Sequence, residues 1–245
     1  MGLAKSVKKR IDWAKNVKFD NRTGFFRYLK YGHQLYIRHP RHFVRDDVTD
    51  WVCEKVFFRY YLPGNNDVVV DLGAGYGDEA LYLAQRSPGV RYIGVEPQPV
   101  IYECLANTFR GLGANFVASP YVITERPSVR FVSQFSYASV GEIPDGYIDV
   151  PTMAWATFLQ HYGIEKIDLF KMNIEGAERE MMQMIPDFSL ISRFVISCHD
   201  FRADREGEYY RTKETVVSTL KQHGYRVKTF SYGVNWADDY IYAER

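Results

Sequence analysis

Cysteine is scarce: Cys53, Cys104 and Cys198 are three in 245 residues, far apart and odd in number. They make neither a disulfide framework nor a zinc spacing. No stretch approaches the ~20 consecutive apolar residues that a membrane span needs. The opening MGLAKSVKKRIDWAKNVK is too polar for a secretory core segment, so no export is expected. An excess of either charge is also missing, since 31 Lys and Arg stand against 30 Asp and Glu. That balance argues against a general nucleic-acid binder, whose phosphate contacts require a clear basic excess. There is no internal repeat and no low-complexity stretch. What is present is an ordinary globular mixture, 46% hydrophobic and 25% charged, which excludes disorder for the bulk of the chain. The expectation is a soluble cytoplasmic protein with one large domain and a small extension.

The first 20 residues hold six basic and two acidic side chains, with Leu3, Val7, Ile11, Ala14 and Val17 at helical spacing. This predicts a basic amphipathic helix, either an arm folded on the main domain or a contact with a membrane surface or a partner, such as a second copy in a homodimer. Stable membrane insertion is not expected, because the apolar stripe is narrow. In residues 32–61 the first half reads as a short hairpin and the second as a helix carrying Trp51, Val52, Lys55 and Val56. Residues 1–62 are therefore taken as an N-terminal helical and hairpin extension, and 63–245 as the main domain.

From Asp67 the pattern changes. DVVVDLG is a β-branched run of the kind buried on both faces of a sheet. Strands then alternate with helices: GDEALYLAQR, VRYIGVE, PVIYECLANTFRGLG, ANFVAS, TMAWATFLQHYG, IDLFKMN, EREMMQMI and SRFVISCHD. A helix through residues 207–224, the strand YRVKTF and the strand DYIYAER close the chain. This alternation predicts an α/β fold with a doubly wound, mostly parallel sheet.

In such a sheet, ligands bind beyond the carboxyl ends of the strands. The first strand ends in Asp71-Leu-Gly73-Ala74-Gly75-Tyr-Gly77, a G-x-G-x-G spacing rather than the G-x-G-x-x-G of dinucleotide folds. Asp78, where the third dinucleotide glycine would fall, would repel a pyrophosphate. Glu96, followed by Pro97, ends the second strand, where a carboxylate can accept from both hydroxyls of a ribose. Together they point to an adenosine ligand that lacks phosphates and carries positive charge, and S-adenosylmethionine fits. The candidate cofactor residues are Asp71, Gly73, Ala74, Gly75, Gly77, Glu96, Pro97 and, at the third strand's end, Ser119. After the fourth strand, Lys171, Asn173 and Glu175 alternate, so an extended backbone would turn all three to one side. Glu178 follows at a helix start.

These segments resemble the FkbM-type S-adenosylmethionine-dependent methyltransferases. The likeness runs from about Tyr36 to the C-terminus and rests on DLGAGYG, on VEPQP with the ECLANTF helix, and above all on IDLFKMNIEGAE. The last resembles the family's K-I-D-x-E-G-A-E signature. The resemblance implies a seven-stranded class I methyltransferase fold and methylation of an oxygen on a sugar, saccharide, polyketide or similar small molecule. It also implies an active-site role for Lys171, Asn173, Glu175 and Glu178. Asn173 stands where the family usually has Asp, and an amide neither takes a proton nor ligates metal as a carboxylate does.

Methylating an alcohol calls for a base or a metal. His199, in Ser-Cys-His-Asp after the fifth strand, is the leading candidate base, with Glu175 the other. A divalent cation such as Mg²⁺ on Glu175, His199 and Asp200 is a further candidate that no spacing demands. His39 and His42 read as loop residues near the pocket. Two other functions compete. A cofactor-binding scaffold that has lost catalysis is favoured by Asn173. A nucleic-acid methyltransferase is disfavoured, because KMNIEGAE stands where an amino methylase commonly carries Asn/Asp-Pro-Pro-aromatic.

Overall fold

Val68–Leu72 forms β4, and all five of its residues are buried, as a β-branched run covered on both faces should be. The computed structural model describes residues 15–132 and 147–245. Around β4 lie β5 (Arg91–Val95), β6 (Phe116–Ser119), β11 (Leu169–Met172), β12 (Arg193–Ser197), β13 (Arg226–Thr229) and β14 (Tyr240–Glu244). Their order is β6-β5-β4-β11-β12-β14-β13. The strands from β6 to β12 pair in parallel, while β14 runs antiparallel to both β12 and β13. The doubly wound, mostly parallel seven-stranded sheet expected from the sequence is present. Strand order reverses between β4 and β11, which opens a crevice beyond their carboxyl ends.

Alternation along the strands divides the core. Val68, Val70 and Leu72 join Trp155, Phe158, Phe170 and Met172 on one face. Val69 and Leu169 join Phe57, Tyr92, Leu105 and Phe109 on the other. Each large apolar side chain buried this way contributes about 1.5–3 kcal/mol. The helices covering the sheet include α2 (Asp78–Arg86), α3 (Pro99–Arg110), α4 (Trp155–His161), α5 (Glu178–Met184), α6 (Asp200–Glu206), α7 (Lys213–Gln222) and α8 (Asn235–Asp238).

The N-terminal part is mostly extended. β1 (Lys18–Asp20), β2 (Phe25–Lys30) and β3 (His33–Ile37) form an antiparallel meander. Its hairpin turns at Tyr31-Gly32, both with positive φ, as a two-residue turn matched to strand twist requires. The hairpin therefore spans 25–37 rather than lying after Gly32, because FFRYLK supplies its first strand. The expected helix over the first 20 residues is corrected at its end, where 18–20 are strand. Residues 1–14 lie outside the described part. α1 (Asp46–Val52) runs on into a wider π-helical turn, Cys53–Phe57. Tyr28, Leu35 and Ile37 pack against Leu81 of α2.

Other boundaries shift too. Thr152–Met153 is strand β10, paired with β7 (Val122–Ile123), so the helix there begins only at Trp155. β8 (Val129–Val132) and β9 (Tyr147–Val150) form a second short antiparallel pair. The helix expected over 207–224 starts at Lys213.

Candidate active site

The crevice between β4 and β11 holds a cavity of about 290 Å³. Its floor is the turn after β4. There Gly73 has φ +83°, and a Cβ on it would stand 2.1 Å from the Asn173 carbonyl oxygen. Only glycine fits so close to the chain leaving β11. Gly75 is different: φ is +56°, and a Cβ there would meet open space. Gly73, Ala74 and Gly75 all border the cavity. Gly77 does not, because it faces Leu105 and Phe109 of α3, where a Cβ would clash at 2.9 Å.

Glu96 leaves β5 and is 8% exposed. Its Oε2 accepts from the Gly75 N–H at 3.1 Å and its Oε1 from the Gln98 N–H at 3.0 Å. These bonds fix the carboxylate at the cavity, with Pro97 beside it, and leave each oxygen a lone pair. Burial pushes its carboxyl up to about 7, against the lowering effect of the two N–H groups. Glu79 of α2 also borders the cavity, and burial raises it to about 7 although Lys171 opposes the shift. Ser119 is buried beside this site, and its carbonyl accepts from Glu96 N. The wall beyond it is Tyr121 to Thr124, which the sequence reading did not single out.

Asp71 and Lys171 lie below the floor. They face each other in register on β4 and β11 and form a 2.8 Å ion pair, 0% and 3% exposed at the side chains. The Tyr92 hydroxyl donates to Asp71 as well. The Lys171 ammonium stands 4.8 Å from the Phe57 ring centre. Burial acts to lower this lysine, but Asp71 and Glu79 outweigh it and hold it above its ordinary value. Neither residue borders the cavity, so this pair is apart from Asn173 and Glu175, which do.

The chain after β11 turns sharply over Asn173-Ile-Glu-Gly. Glu178, fully buried, holds that turn: its Oε1 accepts from Ile174 N at 3.2 Å and Gly176 N at 3.3 Å. The same oxygen receives His199 Nδ1 at 3.0 Å, and Thr212 Oγ1 lies 3.4 Å from Oε2. His199 Nε2 faces Glu175 Oε1 at 3.6 Å, and Arg202 binds the other Glu175 oxygen. Glu175 (φ +56°) and His199 (φ +57°) are two of the four non-glycine residues with positive φ among those described. Such backbones cost about 1–3 kcal/mol and concentrate at functional sites. His199 is 3% exposed and stands behind Glu175 rather than on the cavity wall. Arg202 and Thr212 were missed in the sequence, where both read as ordinary polar residues.

The donor set proposed for a metal does not come together. Asp200 turns away, its Oδ1 accepting from Thr212 N at 2.8 Å and Lys213 N at 2.9 Å at the start of α7. Among the described residues, no group of three or more His, Cys, Asp or Glu is placed to hold an ion. Nor is any helix among them long and apolar enough to cross a membrane.

A seven-stranded sheet of this order, with a glycine turn and an acidic residue at adjacent strand ends, defines the class I methyltransferase architecture. The chain belongs to the FkbM methyltransferase family, whose "Methyltransferase FkbM domain" matches residues 71–227, well over half its length. Among solved structures, an O-methyltransferase from Bacillus cereus in complex with SAH is similar at 10% identity and TM-score 0.49, with 83% of this chain and 82% of that one covered. Aeropyrum pernix fibrillarin with natively bound S-adenosyl-L-methionine is 14% identical with TM-score 0.44, covering 93% and 96%. Precorrin-6y C5,15-methyltransferase from Geobacter metallireducens GS-15 is 13% identical with TM-score 0.45, covering 83% and 91%. No curated protein matches the chain.

Proposed function

We propose that this chain methylates a hydroxyl of a sugar, saccharide or polyketide-type small molecule, with S-adenosylmethionine as donor. The observation that carries the reading is the Glu96 carboxylate, held at the cavity by the Gly75 and Gln98 N–H groups. In that position it can accept from a ribose diol. Of the five carboxyls on the cavity wall, Asp78, Glu175 and Glu180 are paired with Lys30, Arg202 and Arg126, which leaves Glu79 and Glu96 to attract a cationic ligand. Bound S-adenosylmethionine supplies an electrophilic methyl group. The residues of this chain then orient the acceptor and remove its proton.

Glu175 is the proton acceptor that borders the cavity. Arg202 fixes one of its oxygens, and His199 Nε2 faces the other. His199 Nδ1 lies 3.0 Å from Glu178 Oε1, which turns Nε2 toward Glu175. A proton taken from the acceptor by Glu175 can pass to His199 there. Asn173, also on the cavity wall, offers an amide donor to the acceptor oxygen and cannot serve as base. We assign no step to a metal. Asn173 in place of the family's Asp favours one rival reading, a cofactor-binding protein without turnover. Incubation with methyl-labelled S-adenosylmethionine and a panel of saccharide and polyketide alcohols tests the proposal. Label transferred to a hydroxyl supports it. Tight cofactor binding with no transfer to any acceptor supports the rival.

A further inference from the structure

The residues bordering the cavity fall into two chemically different groups. Around Glu96 and the turn Gly73–Gly75 they present carboxylates and backbone N–H groups, as the cofactor reading requires. Beyond Asn173 and Glu175 the wall comes from two other elements. Ala177, Glu180, Met181 and Met184 stand at i, i+3, i+4 and i+7 and all border the cavity, so α5 turns one face to it. The second element is the segment from β7 to β8, which contributes Ile123, Thr124, Arg126 and Val129. Arg126 Nη2 reaches Glu180 Oε2 at 3.3 Å and ties the two walls together.

The polar side chains of these walls are already engaged. Arg126 and Glu180 neutralise each other, and at 61% and 46% side-chain exposure they lie on the solvent side. Thr124 Oγ1 accepts from Arg126 N at 3.2 Å. Glu175 is held by Arg202 and is the base of the proposed reaction. What the walls otherwise offer is hydrocarbon and thioether: Ile123, Val129, Ile174, Ala177, Met181 and Met184. Ile123 and Met181 are buried in one apolar cluster, against which Ile174 and Met184 pack. A saccharide carries several hydroxyls, and each one buried against such a wall without a partner is destabilising. An alkyl or aryl body gains there by leaving water. Methionine side chains, flexible and polarisable, also adapt to irregular bodies and make favourable contacts with aromatic rings.

We infer that the methyl acceptor carries its hydroxyl on a hydrocarbon body, and that Met181, Met184 and Ile174, with Ile123 and Val129, set this specificity. The inference rests on the methyltransferase reading and removes saccharides from the acceptors named there. The hydroxyl meets Glu175, and the apolar body lies between α5 and the segment from β7 to β8, which fixes orientation.

The test uses the full chain with isotopically labelled methionine methyl groups, in the presence and absence of S-adenosylhomocysteine. Cyclohexanol and its 4-ethyl and 4-butyl derivatives are titrated in turn, with myo-inositol as the polyhydroxylated ring of the same size. The methyl resonances of Met181 and Met184 are followed, with Met153 and Met182, which do not border the cavity, as references. The expected result is saturable movement of the first two by the cyclohexanols and none by myo-inositol, with affinity rising roughly fourfold for each methylene. Met184→Gln should weaken binding of the butyl derivative roughly tenfold and leave S-adenosylhomocysteine affinity unchanged. Four results overturn the inference: saturation by myo-inositol, affinity indifferent to alkyl length, equal movement of all four methyls, or an unaltered midpoint in Met184→Gln. With S-adenosylhomocysteine still bound, each of them leaves the methyltransferase reading standing. Wild-type protein that takes the butyl derivative at Met181 and Met184 but binds no S-adenosylhomocysteine overturns that reading instead.

Discussion

Asp71 and Lys171, one hundred residues apart, meet at 2.8 Å across two adjacent strands with almost no solvent exposure. Their pairing welds the first strand of the sheet to the strand that carries the NIEGAE turn. Removing one partner leaves a buried, uncompensated charge, which costs about 3–5 kcal/mol. Lys171→Met should therefore lower stability by about that amount in urea unfolding. Cofactor affinity of the folded variant should barely move, because neither residue borders the cavity. Wild-type stability in this variant would show that the pair does not hold the sheet together.

Two glycines of the same turn should answer differently to substitution. A side chain at Gly75 projects into open space from a left-handed backbone (φ +56°), so Gly75→Val should block the cofactor and cost the fold only that backbone strain, about 1–3 kcal/mol. Gly73→Ala adds to a backbone of the same hand a Cβ 2.1 Å from the Asn173 carbonyl oxygen and should lower the melting temperature further. Circular dichroism melts paired with cofactor calorimetry separate the two effects. Equal outcomes at both positions would contradict the geometry.

The acidity of the cavity sets a pH dependence. Glu96 and Glu79 are both raised to about 7 by burial, so near neutrality they are only partly ionised. A cationic cofactor favours their charged forms, so binding should release protons and strengthen as pH rises from about 6 to about 8. Calorimetry in buffers of different ionisation enthalpy measures the release. Without ligand the linkage has the opposite sense: the stability these carboxyls contribute is greatest below their ordinary pKa of about 4.5 and is lost as pH rises through about 7. Affinity that is flat or falls across this range would contradict the assignment.

His199 and Glu175 can be told apart by kinetics. Glu175→Gln should lower turnover by about 10²–10⁴, the usual worth of a positioned acid–base group. His199→Ala should lower turnover less, because Glu175, which takes the proton first, remains on the cavity wall. Cofactor affinity should stay near wild type in both, since Glu96 and the glycine turn are untouched. A fully active His199→Ala enzyme would remove it from the proton path.

Much of the fold was legible because long apolar runs carry their own signal. Val68–Leu72 announced a central strand, and Glu96 could be placed at a strand end from the VRYIGVE pattern alone. The strands Val122–Ile123 and Thr152–Met153 are two residues each, too short for any periodicity to register. Lys171 shows a different limit. Alternation grouped it with Asn173 and Glu175, but β11 stops at Met172 and Glu175 takes a left-handed backbone, so the grouping ends there. Asp71 looked like a ligand residue at a strand end. It lies within β4 on the face opposite Leu72, where its partner comes from β11. The contact of Glu178 with His199 joins the first residue of α5 to the residue before α6 across 21 residues, and no local pattern encodes such a meeting.

Calorimetric titration of the full chain with S-adenosylmethionine, beside Glu96→Ala, tests the central claim most directly. The account predicts one site per chain in the wild type. It also predicts a loss of about 1.5–3 kcal/mol in the variant, the scale of hydrogen bonds to a charged group. Unchanged affinity in Glu96→Ala, or no binding by the wild type, would contradict it.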